Sequence, residues 1–152
     1  MRRSDREITD QAAIEAIIHE AEFCRLALVD GGQPYIIPLS FGYRDKVLYF
    51  HSAVEGKKID IIKKASKACF EVDVNTKIIE AKAACSWGVE YQSVIAFGEV
   101  CLVEDPGEKR KAFDIIMAHY SEKDFQIPNK ALQGTAIIKM EIDEMTGKLC
   151  RA

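Results

Sequence analysis

The sequence predicts a mainly β domain in which an antiparallel sheet closes into a barrel with helices at its periphery. Apolar strand segments follow one another with only short turns between them, such as Gly31-Gly32 and residues 44–46. Helical patterns are confined to three segments, too few for the alternating strands and helices of a parallel sheet. Because an open antiparallel sheet leaves edge strands unpaired, closure into a small barrel is favoured.

Three helices are predicted from capping residues and from apolar residues that recur on one face. Thr9 or Asp10 caps the first, and the second covers residues 56–65. The third begins at Asp105-Pro106, where Glu108 completes a capping box. The apolar faces are Ile14, Ile17, Ile18 and Ala21 in the first helix, Ile59, Ile61, Ile62 and Ala65 in the second, and Phe113, Ile116, Met117 and Tyr120 in the third.

The strands between these helices carry two informative residues. Pro38 cannot donate a ladder hydrogen bond, so it indicates an edge strand or a bulge. Gly98, in the middle of a long strand, indicates a bulge or the close approach of another group. Residues 75–88 are less regular, with room for a continued strand over 77–84, and residues 145–148 turn the last strand into a short tail. The predicted strands cover residues 24–30, 33–43, 47–51, 68–74, 91–104 and 134–142.

Composition narrows the class of protein. The 152 residues suffice for one domain with its own core, and a single domain over residues 1–152 is expected. The net charge of −3 argues against nucleic acid as the main partner. There is no apolar run long enough to span a bilayer, and the charged N-terminus lacks the apolar core of a signal peptide. We therefore expect a cytoplasmic location and no membrane partner.

The cysteines predict neither a disulfide framework nor a metal site. Their number is odd, and none forms a Cys-x-x-Cys pair. Cys24, Cys69 and Cys101 have apolar neighbours and are predicted to be buried. Cys85, in a loop beside Trp87, is the one whose surroundings allow a function, although a structural role is favoured.

The segment from Leu48 to Lys58 predicts a phosphate site. An aromatic strand ends in His51-Ser52, and a helix then opens with Lys57 and Lys58 after a short turn. Two cations at the positive end of a helix dipole are unfavourable unless an anion is bound there. The hydroxyl of Ser52 and both ammonium groups would hold a phosphate, and the aromatic strand would suit a flat ring. Alternatively, both lysines are solvated and His51 makes only a local hydrogen bond; the spacing of a Walker loop is absent.

Several motifs occur together over nearly the whole chain. They are residues 1–3 with 6–8, 34–43, 48–53 with 55–58, 85–87, 91–98, 103–105 with 108–110, and 146–148. In this combination the chain resembles the flavin-binding split-barrel proteins related to pyridoxamine-phosphate oxidase. Within them it is similar to the 5-nitroimidazole-resistance (nitroimidazole reductase) group.

The resemblance implies a fold, a cofactor and an assembly. The implied fold is an antiparallel split barrel of six to seven strands, of the FMN-binding type. The implied assembly is a homodimer with FMN in grooves between the subunits. Position by position, the resemblance places these residues at the cofactor: Pro38, Leu39, Ser40 and Phe41 beside the ring; His51, Ser52 and Ala53 along its middle; Lys57 and Lys58 at the phosphate; Ser93 and Tyr91 on the long strand; Thr146, Gly147 and Lys148 from the tail; and Trp87 over the ring.

The activity implied is that of an FMN-dependent oxidoreductase acting on small, electron-poor aromatic molecules such as nitroimidazoles. His51 is the candidate catalytic residue, because an imidazole can donate a proton to the reduced substrate or anchor a carboxylate of the electron donor. The alternative is a flavin- or haem-binding barrel without nitroreductase turnover, in which His51 would ligate the haem iron. Oxidation of pyridoxamine 5'-phosphate is less favoured, because Arg25 and Arg44 are isolated and form no second phosphate cluster.

Overall fold

The computed structural model describes residues 4–64 and 66–151 and confirms a mainly β fold with peripheral helices. Short 3₁₀ turns cover Ser4–Arg6 and Ala84–Ser86. The strands are β1 (Glu7–Ile8), β2 (Cys24–Asp30), β3 (Gln33–Leu39), β4 (Phe41–Arg44), β5 (Val47–Ala53), β6 (Lys67–Ile79), β7 (Gly88–Val103) and β8 (Thr135–Cys150). The helices are α1 (Gln11–Glu20), α2 (Lys57–Ile62), α3 (Pro106–Tyr120) and α4 (Asn129–Gln133).

The strands form a single antiparallel sheet that curls into a split barrel. Its order is β3-β2-β6-β7-β8-β5-β4, and β1 adds to β8. β3 and β4 end this order on opposite sides, yet Ser40 alone separates them in the chain. The sheet therefore has to bend round until its two edges meet at Ser40. The expected split barrel is confirmed, and the two-residue β1 brings the strand number to eight.

The break at Ser40 divides the strand predicted over residues 33–43. Pro38 lies in β3, at the edge of the sheet, as its missing N–H predicts. The hairpin before it is also as predicted, because Gly31 and Gly32 have φ of 57° and 92°, which glycine adopts without a steric penalty.

Helix α1 covers one part of the core as predicted, whereas α3 presents a different face. The side chain of Asp10 caps α1, and Ile14, Ile17 and Ile18 are buried. In α3 the buried residues are Ala112, Ile115 and Ile116, while Phe113 and Met117 are half-buried and Tyr120 is exposed. The cause is Gly42 in β4, where a Cβ would lie 2.7 Å from the backbone of Ile115. The glycine lets the helix backbone sit directly on the strand.

Three further predictions about the elements need correction. β8 continues without a turn to Cys150, because its second half pairs with β7 beyond a register shift at Phe97/Gly98. β6 ends at Ile79, so the continued strand predicted over 77–84 is confirmed for 77–79 and wrong beyond. α2 is shorter than residues 56–65, and Ala65 lies outside the described residues. Gly98 itself is confirmed as a point of close approach, since a Cβ there would lie 1.9 Å from the carbonyl oxygen of Glu141.

Burial of the cysteines was predicted correctly for Cys24 only. Cys69 is half-buried, and Cys101 is exposed because alternation along β7 turns it outward. Cys24 hydrogen-bonds the carbonyl oxygen of Leu39, and burial raises the pKa of its thiol to about 12. Its thiol is therefore unreactive at neutral pH.

Candidate functional site

The imidazole of His51 and the hydroxyl of Ser40 form the centre of the candidate site. Alternation along β5 turns Leu48 and Phe50 into the core and leaves His51 exposed. His51 Nε2 lies 2.9 Å from Ser40 Oγ, so the break between β3 and β4 holds the ring from one side. The ring of Phe113 from α3 lies nearly parallel to it, with centroids 6.4 Å apart. An exposed, oriented imidazole beside a flat apolar ring is suited to hold a planar ligand.

Ser52 is the neighbour of His51 but points to the other face of β5. Its side chain is 7 % exposed, and its Oγ has no hydrogen-bond partner among the described residues. A buried hydroxyl without a partner costs about 1–3 kcal/mol. A polar ligand atom that reached this strand end would satisfy it.

The two lysines predicted at the phosphate have different surroundings. Lys57 is exposed, with its Nζ 3.8 Å from Asp30 Oδ2 and 4.9 Å from the centroid of the Tyr35 ring. Lys58 is half-buried and has no ion-pair partner within the described part of the chain. Because α2 has only six residues, its dipole adds little, and the lysine charges are the main attraction for an anion.

Tyr91, Ser93 and Lys148 form a second group. Lys148 Nζ donates a 2.6 Å hydrogen bond to Tyr91 Oη. Ser93 is buried and pairs with Lys148 in the β7–β8 ladder. Thr146 is half-buried beside them, whereas Gly147 faces the core, where a Cβ would lie 2.8 Å from Ile14 Cγ1.

The structure does not bring these two groups together within one chain. His51 pairs with Ile137 near the start of β8, and Ser93 pairs with Lys148 near its end. From Ile137 to Lys148 the strand advances 11 residues (148 − 137). At about 3.3 Å per residue this is about 36 Å along an extended strand. A small-molecule ligand that contacts the group around His51 therefore does not also reach the group around Lys148 of the same chain.

The remaining predicted residues are dispersed. Pro38 and Ala53 are exposed, and Leu39 is half-buried. Phe41 is fully buried against Phe70 and the ring of His119, so its side chain does not reach a ligand. Trp87 is 52 % exposed in the β6–β7 turn, where its indole N–H donates to the carbonyl of Ala81.

The groups that support Ser40 from behind were not predicted from the sequence. Tyr120 Oη accepts a hydrogen bond from the N–H of Phe41 (3.0 Å) and donates one to the carbonyl of Glu22 (2.9 Å). His119 Nε2 lies 2.7 Å from the carbonyl oxygen of Ala21. Burial raises the pKa of Tyr120 and lowers that of His119. A helix-end His-Tyr pair has no sequence signal of its own, which is why Tyr120 was placed on the apolar face.

One row of side chains on the outer face of the sheet is apolar, between rows that carry the Arg25–Glu71 and Lys67–Glu99 ion pairs. The ladders place Ile36, Ala27, Cys69 and Phe97 in one row across β3, β2, β6 and β7. Ile36 is 62 % and Phe97 51 % exposed. Exposed apolar patches of this kind are typical of protein interfaces.

Among the described residues, no helix has the length and apolar character needed to cross a membrane. In the same part of the chain, no group of three or more His, Cys, Asp or Glu side chains is arranged to hold a metal ion.

The split barrel defines the class of fold, and a comparison with protein-family models identifies the family. The family model for pyridoxamine 5'-phosphate oxidase matches residues 10–149. The chain therefore belongs to the pyridoxamine 5'-phosphate oxidase family. A search of curated proteins gave no match.

Solved structures agree with this assignment. A candidate 5-nitroimidazole antibiotic resistance protein from Bacteroides thetaiotaomicron is 35% identical over 94% of this chain and 86% of its own, with a TM-score of 0.85. The FAD and haem binding protein from Mycobacterium smegmatis is 18% identical over 97% of this chain and 74% of its own, with a TM-score of 0.87. The flavocytochrome Anf3 from Azotobacter vinelandii is also 18% identical, over 100% of this chain and 72% of its own, with a TM-score of 0.85. The last two show a shared fold alone.

Proposed function

We propose that this protein is an FMN-dependent oxidoreductase that reduces small, flat, electron-poor molecules such as nitroimidazoles. The observation that carries the proposal is the end of β5. There an exposed imidazole is held by Ser40, the adjacent hydroxyl of Ser52 has no partner in the described part of the chain, and two lysines follow within seven residues of His51. The similarity to the Bacteroides protein supports the choice of nitroimidazoles as the substrate class.

The residues present fit a flavin mononucleotide. Lys57 and Lys58 would hold its phosphate, and Lys58 is the better placed because its charge is unpaired among the described residues. The backbone of residues 38–41 at the edge of the sheet would meet the polar edge of the ring. When bound, FMN supplies the electron transfer. His51 would hold a proton for the reduced substrate or anchor a carboxylate of the electron donor.

The proposal includes a homodimer in which each cofactor lies between two chains. Two observations support it: the exposed apolar row from Ile36 to Phe97, and the distance along β8 between the predicted contact groups. Pairing two chains through the apolar face would let Tyr91, Lys148 and Trp87 of one chain complete the site around His51 of the other. Burial of the apolar row drives such an association.

Two other functions are less well supported. Haem ligation by His51 through Nε2 would require the ring to give up its contact with Ser40 Oγ, which leaves Nδ1 as the available ring nitrogen. Oxidation of pyridoxamine 5'-phosphate would require further cations for the substrate phosphate. Arg25 does not supply one, because Glu71 and Asp73 already pair with it.

The visible absorption spectrum of the purified, untagged protein tests the proposal. We expect a flavin band shifted from that of free FMN and bleached by dithionite, followed by consumption of a nitroimidazole under reducing conditions. A Soret band would replace the proposal with haem binding. A colourless protein that takes up no added FMN would refute it.

A further inference from the structure

A single tyrosine hydroxyl joins three parts of the molecule behind the candidate site. Tyr120 ends α3, and its Oη lies 3.0 Å from the amide nitrogen of Phe41 and 2.9 Å from the carbonyl oxygen of Glu22. Because the N–H of Phe41 needs an acceptor, the phenol proton has to go to Glu22. The hydrogen-bond roles at this hydroxyl are therefore fixed.

Phe41 follows Ser40 directly, at the one point where the two edges of the sheet are joined by the chain. No β3–β4 ladder fixes this point among the described strands. The peptide bond between Ser40 and Phe41 is instead held by Tyr120 Oη. The ring of Phe41 packs against that of His119, with the two ring centroids 4.4 Å apart. His119 is in turn tied to the carbonyl of Ala21. The end of α3 thus anchors the Ser40–Phe41 peptide through two adjacent residues.

We propose that Tyr120 is a positioning residue of the candidate site, holding Ser40 and, through Ser40, the imidazole of His51. The physical chain consists of Tyr120 Oη to Phe41 N (3.0 Å), one peptide unit to Ser40, and Ser40 Oγ to His51 Nε2 (2.9 Å). The contact with Ser40 biases which ring nitrogen of His51 carries the proton. The inference deepens the proposed function and rests on it for its significance.

The test compares two Tyr→Phe variants that each remove one hydroxyl. Y120F removes the contact with Phe41 N. Y43F is the matched control, because Tyr43 lies in the same strand two residues further on and bonds Glu15 of α1 rather than the Ser40 peptide. Imidazole ¹⁵N shifts of His51 report its tautomer in the full chain as purified, at a fixed alkaline pH and without any assay of turnover. Flavin content is read separately from the visible spectrum.

We expect Y120F to change the tautomer ratio of His51 by about two- to tenfold, the equivalent of one hydrogen bond, and Y43F to leave it unchanged. S40A should reproduce the effect, and Y120F should add nothing in an S40A background, because both act through the same contact. An unchanged His51 in Y120F, or full additivity in the double variant, would overturn the inference. Because the readout does not need flavin, it fails or succeeds independently of the proposed activity.

Should Y120F fail to fold, H119Q supplies the test, because it removes the imidazole that packs on the rings of Phe41 and Tyr120. Across a pH titration of H119Q, the amide resonance of Phe41 and the ring resonances of Tyr120 should shift together with those of His51. Constant Phe41 and Tyr120 resonances across the titration would overturn the inference.

Discussion

The ammonium group of Lys148 lies 2.6 Å from the hydroxyl of Tyr91 and 5.0 Å from the centroid of its ring. This pair lies near the C-terminal end of β8. His51 of β5 lies beside the other end, where it pairs with Ile137. If both belong to one cofactor site, they have to come from different chains.

A mixed dimer tests that arrangement. We expect K57A/K58A and Y91F/K148A to weaken FMN binding separately, and a dimer with one chain of each kind to regain one full-affinity site. The intact His51 end of one chain then meets the intact Tyr91 end of the other. Titration with FMN, followed by flavin fluorescence, measures the number of tight sites. Recovery of none would show that both groups serve the cofactor from the same chain.

The double variant K57A/K58A isolates the phosphate contact. We expect FMN affinity to fall by about tenfold or more, because hydrogen bonds to charged groups contribute about 1.5–3 kcal/mol each. The fold should persist, since neither side chain belongs to the core. K63A/K64A, just after the same helix, is the matched control for loss of net charge. Equal affinity in both variants would refute the phosphate assignment.

A substitution at Phe97 tests whether the apolar face is the dimer interface. Phe97→Glu places a charge on a row in which this ring is 51 % exposed, so we expect dissociation to monomers together with loss of FMN binding. Burial of an unpaired carboxylate at an interface is unfavourable. Phe125→Glu is the control, because Phe125 is similarly exposed at 43 % but lies after α3, outside this face. Sedimentation velocity distinguishes the two states, and a dimeric F97E protein would exclude this face as the interface.

A substitution at Gly98 tests the close approach of the β7 and β8 backbones. In Gly98→Ala the new Cβ would lie 1.9 Å from the carbonyl oxygen of Glu141, so backbone has to move. We expect a loss of about 3 kcal/mol or more in the free energy of unfolding, at the upper end for single substitutions. Gly134→Ala is the control, since its nearest contact is an ordinary 3.5 Å. Chemical denaturation of both variants measures the difference, and near-equal stabilities would contradict the close approach.

The lowered pKa of His119 predicts that the fold becomes less stable in acid. Burial lowers its pKa from 6.5, although the bond to the Ala21 carbonyl opposes the shift. A histidine whose pKa is lower in the folded state stabilises the fold fully above the unfolded value, and this stabilisation is lost as the pH falls through the folded value. The wild-type free energy of unfolding should therefore fall below pH 6.5 more steeply than that of H119Q. Parallel pH profiles of the two proteins would contradict the assignment.

Local patterns in the sequence determined the class of fold, most of its strands and the residues at the end of β5. Caps, hairpin glycines and alternating apolar residues depend on neighbours close in the chain, so Asp10, Gly31-Gly32 and the inward Phe50 followed from sequence alone. The family resemblance, carried by motifs such as the one that runs from His51 to Lys58, was available for the same reason.

Long-range packing decided the rest. The second half of β8 became a strand because β7 pairs with it, and α3 turned a different face inward because Gly42 admits its backbone. The contact of Tyr120 with Phe41 spans 79 positions, and the separation of His51 from Lys148 follows from the register of β8. Such contacts depend on how distant segments meet in space, and no local pattern encodes them.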